Sequence, residues 1–205
     1  RCLIVSRKFD LISELYDRTC KMVVSSPKNW EAFLSSACRN YKLRFDEQLL
    51  IFAQRPDATA VLEIERWNSS FGRWVNRGAT GIAVFDDAAR STQRLIHYFD
   101  ISDTHESRHS RPVPIWTMKP EYEQEVIQTL ESSFAAIRDN SSLADTVMSA
   151  AKNAAEDNLP DYTRDLLYSV NDSFLEELDD FNVEVIYKRL AANSVAFMLI
   201  SRCGL

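Results

Sequence analysis

Glycine is scarce in this chain, four residues in 205, and three of the four stand at positions 72, 78 and 81. A glycine-poor chain keeps that residue where the backbone must turn with positive φ or approach something closely. Residues 71–86 therefore read as a tight turn ringed by Arg73, Trp74 and Arg77, feeding the apolar β-type run Ile82-Ala83-Val84-Phe85. Such a turn, set on a strand, suits the gripping of a nucleic-acid backbone by guanidinium groups and the stacking of a base on the indole. The rest of the chain has to accommodate this element.

Ahead of the turn the pattern is helical. Phe9, Leu11, Ile12, Leu15, Tyr16 and Thr19 keep helical spacing, and Ser25-Ser26-Pro27 interrupts it. Ser26 is expected as an N-cap, with Pro27 in the first position of the next helix. Trp30, Phe33, Leu34, Ala37, Cys38 and Tyr41 then recur at amphipathic helical intervals. Asp46 is expected to cap a third helix that stops near Arg55-Pro56. A fourth is expected over residues 59–68, stopped by Gly72. Strands are expected at residues 82–85 and 95–101, joined across the polar segment 86–92 as an antiparallel hairpin, with Arg73-Trp74-Val75 as a third strand. Residues 102–120 read as a loop that ends the domain.

From Glu121 the helical pattern resumes. Val126, Ile127, Leu130 and Phe134 share one face, and Ser142 followed by Asp145 resembles a capping box. Pro160 is expected to begin a further helix, Asp172-Ser173 to cap the acidic segment 174–180, and a last helix to cover residues 183–203. The expectation is an α+β chain: helices packed on a small antiparallel sheet over residues 1–120, then an acidic all-helical region over 121–205.

Charge divides at the same place. Residues 1–120 hold 18 Lys and Arg against 14 Asp and Glu, a net of +4, whereas residues 121–205 hold 6 against 16, a net of −10. The first part can host nucleic acid; the second repels it and must face elsewhere or toward another protein. No apolar run is long enough to span a bilayer and no signal-peptide pattern opens the chain, so a cytoplasmic protein without membrane contact is expected. The chain opens on Arg1 rather than methionine and is expected to be a piece of something longer. Cys2, Cys20, Cys38 and Cys203 show no CxxC pair and are expected as buried, reduced thiols.

No catalytic constellation emerges. His105-Glu106-Ser107-Arg108-His109 places two histidines at i, i+4 beside a glutamate, superficially like a zinc-protease motif. That motif needs a helix and a further ligand, and this Ser/Arg-rich stretch runs straight into Arg111-Pro112, so a solvated loop is expected. Asp86-Asp87, Glu176-Glu177 and Asp179-Asp180 have no histidine, lysine or phosphate-binding loop beside them. No Walker, dinucleotide-binding or serine-elbow element is present. A non-enzymatic chain with no metal and no cofactor is expected.

The basic turn offers more. Arg73 and Arg77 flank Trp74, and the backbone N–H groups of Gly78, Ala79 and Gly81 can face a phosphate. Arg66, Arg55 and Arg44 can extend the positive surface, and Trp74 or Tyr98 can stack on an unpaired base. The competing reading makes Trp67, Phe71 and Trp74 core, with the arginines snorkelling at its rim; composition leaves both open.

Four segments in order break the tie: Asp46-Glu47-Gln48-Leu49-Leu50-Ile51, Arg66-Trp67-Asn68, Gly72-Arg73-Trp74-Val75-Asn76-Arg77-Gly78-Ala79-Thr80-Gly81-Ile82-Ala83-Val84-Phe85 and Tyr98-Phe99-Asp100-Ile101-Ser102-Asp103-Thr104. Together they resemble the N-terminal single-stranded-DNA-binding domain of ArdC antirestriction proteins over residues 28–104. The chain is more similar still to the N-terminal region of very large proteins of Gram-positive conjugative elements, where such a domain precedes helicase and DNA methylase modules. ArdC proteins usually carry a lysine where Ala79-Thr80 stand, so one phosphate contact is missing here, and their metalloprotease domain has no counterpart. The resemblance implies a non-catalytic, single-stranded-DNA-binding antirestriction module of a mobile element, with Arg66, Arg73, Trp74, Arg77, Gly78 and Tyr98 as its binding residues. The alternative is an inhibitor that binds a host defence nuclease, of restriction or CRISPR type, through the acidic helical surface. A third reading is a purely structural module that positions an attached helicase or methylase.

Overall fold

The structure is a computed structural model that describes residues 2–86, 94–135, 142–173 and 175–205, with side chains from residue 7 onward. The chain forms two compact units, Arg1–Trp116 and Thr117–Leu205. The first is α+β and the second all-helical, the class expected from the pattern. The expected connection over 86–92 lies outside the described residues from residue 87 on, as does Phe174 at the head of the acidic segment.

In the first unit, α1 (Cys2–Val23), α2 (Pro27–Ala37) and α3 (Phe45–Gln54) come first. Ser26 caps α2 by accepting the Asn29 N–H at 3.2 Å, with Pro27 in the first turn, as the local sequence predicts. Phe33, Leu34, Ala37 and Cys38 are buried, but the helix has ended before Tyr41, which is exposed. Asp46 is not the cap of α3. Arg44 holds that position, its N–H donates to Glu47 Oε2 at 2.9 Å, and Asp46 in the first turn forks the Arg44 guanidinium instead.

The expected fourth helix is split. Residues Val61–Glu63 form a strand, β1, and only Ile64–Phe71 is helical, α4. The cause lies in the far strand. Asp100 Oδ1 accepts the N–H groups of Thr59 (2.7 Å) and Ala60 (3.0 Å), and the Ile101 N–H donates to the Ala60 C=O at 2.9 Å, tying the segment to the end of that strand. β1 pairs antiparallel with β4 (Leu95–Asp100), Leu62 opposite Phe99, and β4 pairs with β3 (Ile82–Phe85), giving a three-stranded sheet in the order β1-β4-β3.

α3 covers this sheet. Leu50 and Ile51 pack with Ala58, Val61, Ile82 and Val84, flanked by Ile12, Leu15 and Tyr16 of α1. Gln54 stands in for a further strand: its amide accepts the Ala83 N–H at 3.0 Å and donates to the Ala83 C=O at 2.8 Å. The exposed edge of β3 is thereby closed to other strands.

Arg73-Trp74-Val75, expected as a third strand of that sheet, forms β2 of a separate ribbon. Its partner is β5 (Thr104–Glu106), within the segment read as a loop.

In the second unit α5 (Glu123–Phe134), α6 (Leu143–Tyr168) and α7 (Asp180–Cys203) pack around Leu143, Val147, Ala151 and Ala196. Ser142 caps α6 by accepting the Asp145 N–H at 3.2 Å, as expected. Pro160, expected to begin a new helix, lies inside α6. It forfeits one backbone hydrogen bond, while Leu159 is buried beside it and the Tyr162 ring stands 6.3 Å from Tyr187 of α7. Those contacts with the neighbouring helix hold both halves in line. The described part of the acidic segment is turns rather than helix, and α7 is capped by Asp179. Cys38 is buried, Cys20 and Cys203 are half-buried, and all three are free thiols. Among the described residues no helix is long and apolar enough to cross a membrane.

Candidate nucleic-acid interface

The glycine-rich turn folds as its glycines require. Gly72 ends α4 in the left-handed region, φ +61°, and its own carbonyl accepts from the hydroxyls of Ser107 (2.7 Å) and Ser110 (2.9 Å). A Cβ at Gly72 would lie 2.8 Å from the His109 carbonyl oxygen, so the close approach of the 107–111 segment also demands glycine. Beyond β2, the Ala79 N–H donates to the Asn76 C=O at 3.1 Å, closing a turn with Gly78 at φ +87° on its crest. The Ala79 N–H, expected to face a phosphate, is spent on that closure.

Within the ribbon Arg73 pairs with Glu106, Trp74 with His105 and Val75 with Thr104. Successive strand residues point to opposite faces, so Arg73 and Trp74 part company. The Arg73 side chain is only 11% exposed. Its Nε–H donates to Thr104 Oγ1 at 2.7 Å, its Nη2 to the Thr104 C=O at 3.3 Å and its Nη1 to Glu106 Oε1 at 2.8 Å. Arg73 clamps the two strands together, and the donors expected for a phosphate are engaged within the ribbon.

Trp74 takes the outer face and is 53% exposed, against 0% for Trp67 of α4. Trp67 donates its indole N–H to the Phe99 C=O at 2.8 Å and lies beside Phe71. Trp67 is thus core, as one of the two readings has it, and Trp74 is not. Arg77, Gly78 and Arg66 are exposed, and neither arginine has an ion-pair partner among the described residues. The other arginines expected to widen the positive surface are ion-paired, Arg44 with Asp46 and Arg55 with Asp103, and Arg55 also donates to the Ser102 hydroxyl.

Tyr98 is engaged as well. It is half-buried against the α3-covered core, and its hydroxyl donates to Glu47 Oε1 at 2.6 Å. Burial, reinforced by the Glu47 carboxylate, raises this phenol well above its ordinary range. Tyr98→Phe should accordingly cost about 1 kcal/mol of stability in chemical unfolding and leave oligonucleotide affinity unchanged within twofold.

Sequence reasoning missed the second half of the ribbon. His105 sits on β5 opposite Trp74, and its Nδ1 is 2.7 Å from Asn76 Oδ1. Arg108 and Arg111 follow, both exposed, on a segment tied down by the two serine hydroxyls and by the Arg111 N–H on the Phe71 C=O at 2.9 Å. A three-residue polar strand such as Thr104-His105-Glu106 has no periodicity to announce it. The two histidines lie on a strand and a turn rather than one helix, and no group of three or more metal-ligating side chains occurs among the described residues.

In the second unit, Lys152, Lys188 and Arg189 gather beside Met148 and Val185 in an open cleft between α6 and α7. Asp145 and Glu156 line the same cleft, and Glu156 pairs with Lys188 at 3.4 Å.

Comparison of the chain with protein-family models, with curated proteins and with solved structures finds no match.

Proposed function

We propose that the first unit binds single-stranded DNA, as a non-catalytic, antirestriction-type module of a mobile genetic element working in the cytoplasm. One observation carries this reading: a half-exposed indole, Trp74, on the outer face of a ribbon whose glycine turn presents an unpaired Arg77 three residues away. An aromatic face for a base beside a cation for its phosphate is the minimal equipment for sequence-tolerant single-strand binding. The working residues are Trp74, Arg77 and Gly78, with Arg66 as a further cation. The ordered resemblance to ArdC domains supports DNA as the ligand and antirestriction as the setting.

Fluorescence anisotropy with labelled single-stranded and duplex oligonucleotides tests this. Affinity for the single strand should exceed that for the duplex and fall with salt, with a log–log slope of about −0.7 for each phosphate neutralised. Arg77→Ala should make that slope shallower by about one such step. A chain that binds no oligonucleotide at low salt would refute the reading. The working surface would then pass to the acidic second unit, where exposed Tyr168 and Phe181 lie among carboxylates that suit the basic cleft of a nuclease.

A further inference from the structure

The ribbon has a direction as well as a face. β2 and β5 are antiparallel, so the chain leaves β2 toward Arg77 at one end and leaves β5 toward Arg108 at the other. Arg77 is three residues past Trp74, and Arg108 is three past His105, its cross-strand partner. At strand rise these offsets amount to a path of up to ~20 Å with Trp74 and His105 at its middle. Both arginines are exposed, and neither has a partner among the described residues. The Arg108 end is also pre-shaped, because the Ser107 N–H donates to Ser110 Oγ at 2.7 Å and both serine hydroxyls donate to the Gly72 carbonyl. A cation held on a fixed turn loses little freedom on binding.

Between the arginines stands a polar pair. With Asn76 Oδ1 at 2.7 Å from His105 Nδ1, the tautomer that carries its hydrogen on Nδ1 donates it to the amide oxygen. What remains is the amide N–H₂ as a donor and ring Nε2 as an acceptor. Exchanging the amide and the tautomer together leaves the amide oxygen as acceptor and Nε2–H as donor. Either way the pair keeps one donor and one acceptor in reserve beside the indole. Each of the four bases carries an adjacent donor and acceptor on its Watson–Crick edge, and a duplex occupies those edges.

Resting on the function proposed above, we infer that the strand runs along the ribbon, its phosphates at Arg77 and Arg108 and one unpaired base on Trp74, its pairing edge met by Asn76 and His105. The ligand class is any unpaired base in a single strand. Discrimination comes from whether the base is paired, not from which base it is.

Anisotropy on the full chain separates the parts. Oligomers of dA, dC and dT of equal length should bind within about threefold of one another. Arg108→Ala should lower the salt slope by ~0.7, as Arg77→Ala does. His105→Ala, on an exposed strand position, should leave the slope alone but narrow the preference for single strand over duplex at least threefold. Asn76→Ala should do the same, with circular dichroism confirming that each variant is folded. An unchanged slope in Arg108→Ala overturns the path along the ribbon while the proposed function stands. An unchanged single-strand preference in both His105→Ala and Asn76→Ala overturns the edge contact. Absence of any binding by the parent chain removes the function itself.

Discussion

Trp67→Ala should destabilise the first unit by about 3–5 kcal/mol, whereas Trp74→Ala should barely change stability and instead weaken single-strand binding. The two indoles are seven residues apart, and their surroundings decide the split. Trp67 is fully buried, and its N–H satisfies the Phe99 carbonyl of the central strand β4. Truncation removes the ring from the core, leaves a cavity between α4 and the sheet, and deprives that carbonyl of its indole donor. In a unit of this size the loss corresponds to a drop in melting temperature on the order of 10–25 °C. Trp74 is half in solvent, and its removal leaves the hydrogen bonds of Arg73 to Thr104 and Glu106 in place. Its contribution is reserved for a base, where stacking is worth ~1–3 kcal/mol, or about five- to 150-fold in affinity. All four tryptophans of the chain lie in the unit Arg1–Trp116, so tryptophan fluorescence, excited selectively, reports on that unit. A Trp74→Ala variant that melts early, or binds as the parent does, would contradict the division of labour.

The parts of this fold that could be read in advance are those decided within a turn or two of chain. Ser26-Pro27 and Ser142 open helices because their partners, the N–H groups of Asn29 and Asp145, are three residues away. Gly72 and the strand Ile82–Phe85 were legible for the same reason. β1 was not. Val61, Leu62 and Ile64 fit either period, and the group that decides, the Asp100 carboxylate, is about forty residues downstream. β5 is too short and polar to show itself before β2 is placed against it. Arg73 and Trp74 part for a simpler reason: adjacent residues on a strand do not share a face. Once Arg73-Trp74-Val75 is taken as a strand, the exposed indole turns Arg73 inward. The cations on the outer side must then come from the turn after β2 and the segment after β5, which is where Arg77 and Arg108 stand.

The carboxylate that overrode the expected helix also sets the acid limit of the fold. Asp100 is buried and accepts four hydrogen bonds of 3.0 Å or shorter, two from the Thr59 and Ala60 N–H groups and two from the Ser102 N–H and hydroxyl (3.0 and 2.6 Å), besides a longer one from the Thr59 hydroxyl at 3.4 Å. Burial alone would raise its pKa, but these four donors outweigh burial and hold the carboxyl below its usual value. The unfolded carboxyl takes up a proton first, so the stabilisation is complete above the unfolded pKa of about 3.9 and drains away as pH falls through the lower folded value. Asp100→Ala removes the acceptor of the Thr59 and Ala60 N–H groups and of the Ser102 N–H and hydroxyl, at ~1 kcal/mol each. It also loosens the entry to β1, which then keeps only its pairing with β4 and the Ile101 N–H on the Ala60 C=O at 2.9 Å. The expected result, by urea unfolding followed through tryptophan fluorescence, is a loss of about 3 kcal/mol or more at pH 7. The gap between parent and variant should close as pH drops from 5 toward 2. Asp100→Asn should recover only part of the loss, because an amide presents donors where the backbone already offers donors. A parent-to-variant gap that stays constant across that range would show that the charge on Asp100 is not what holds β1 in the sheet.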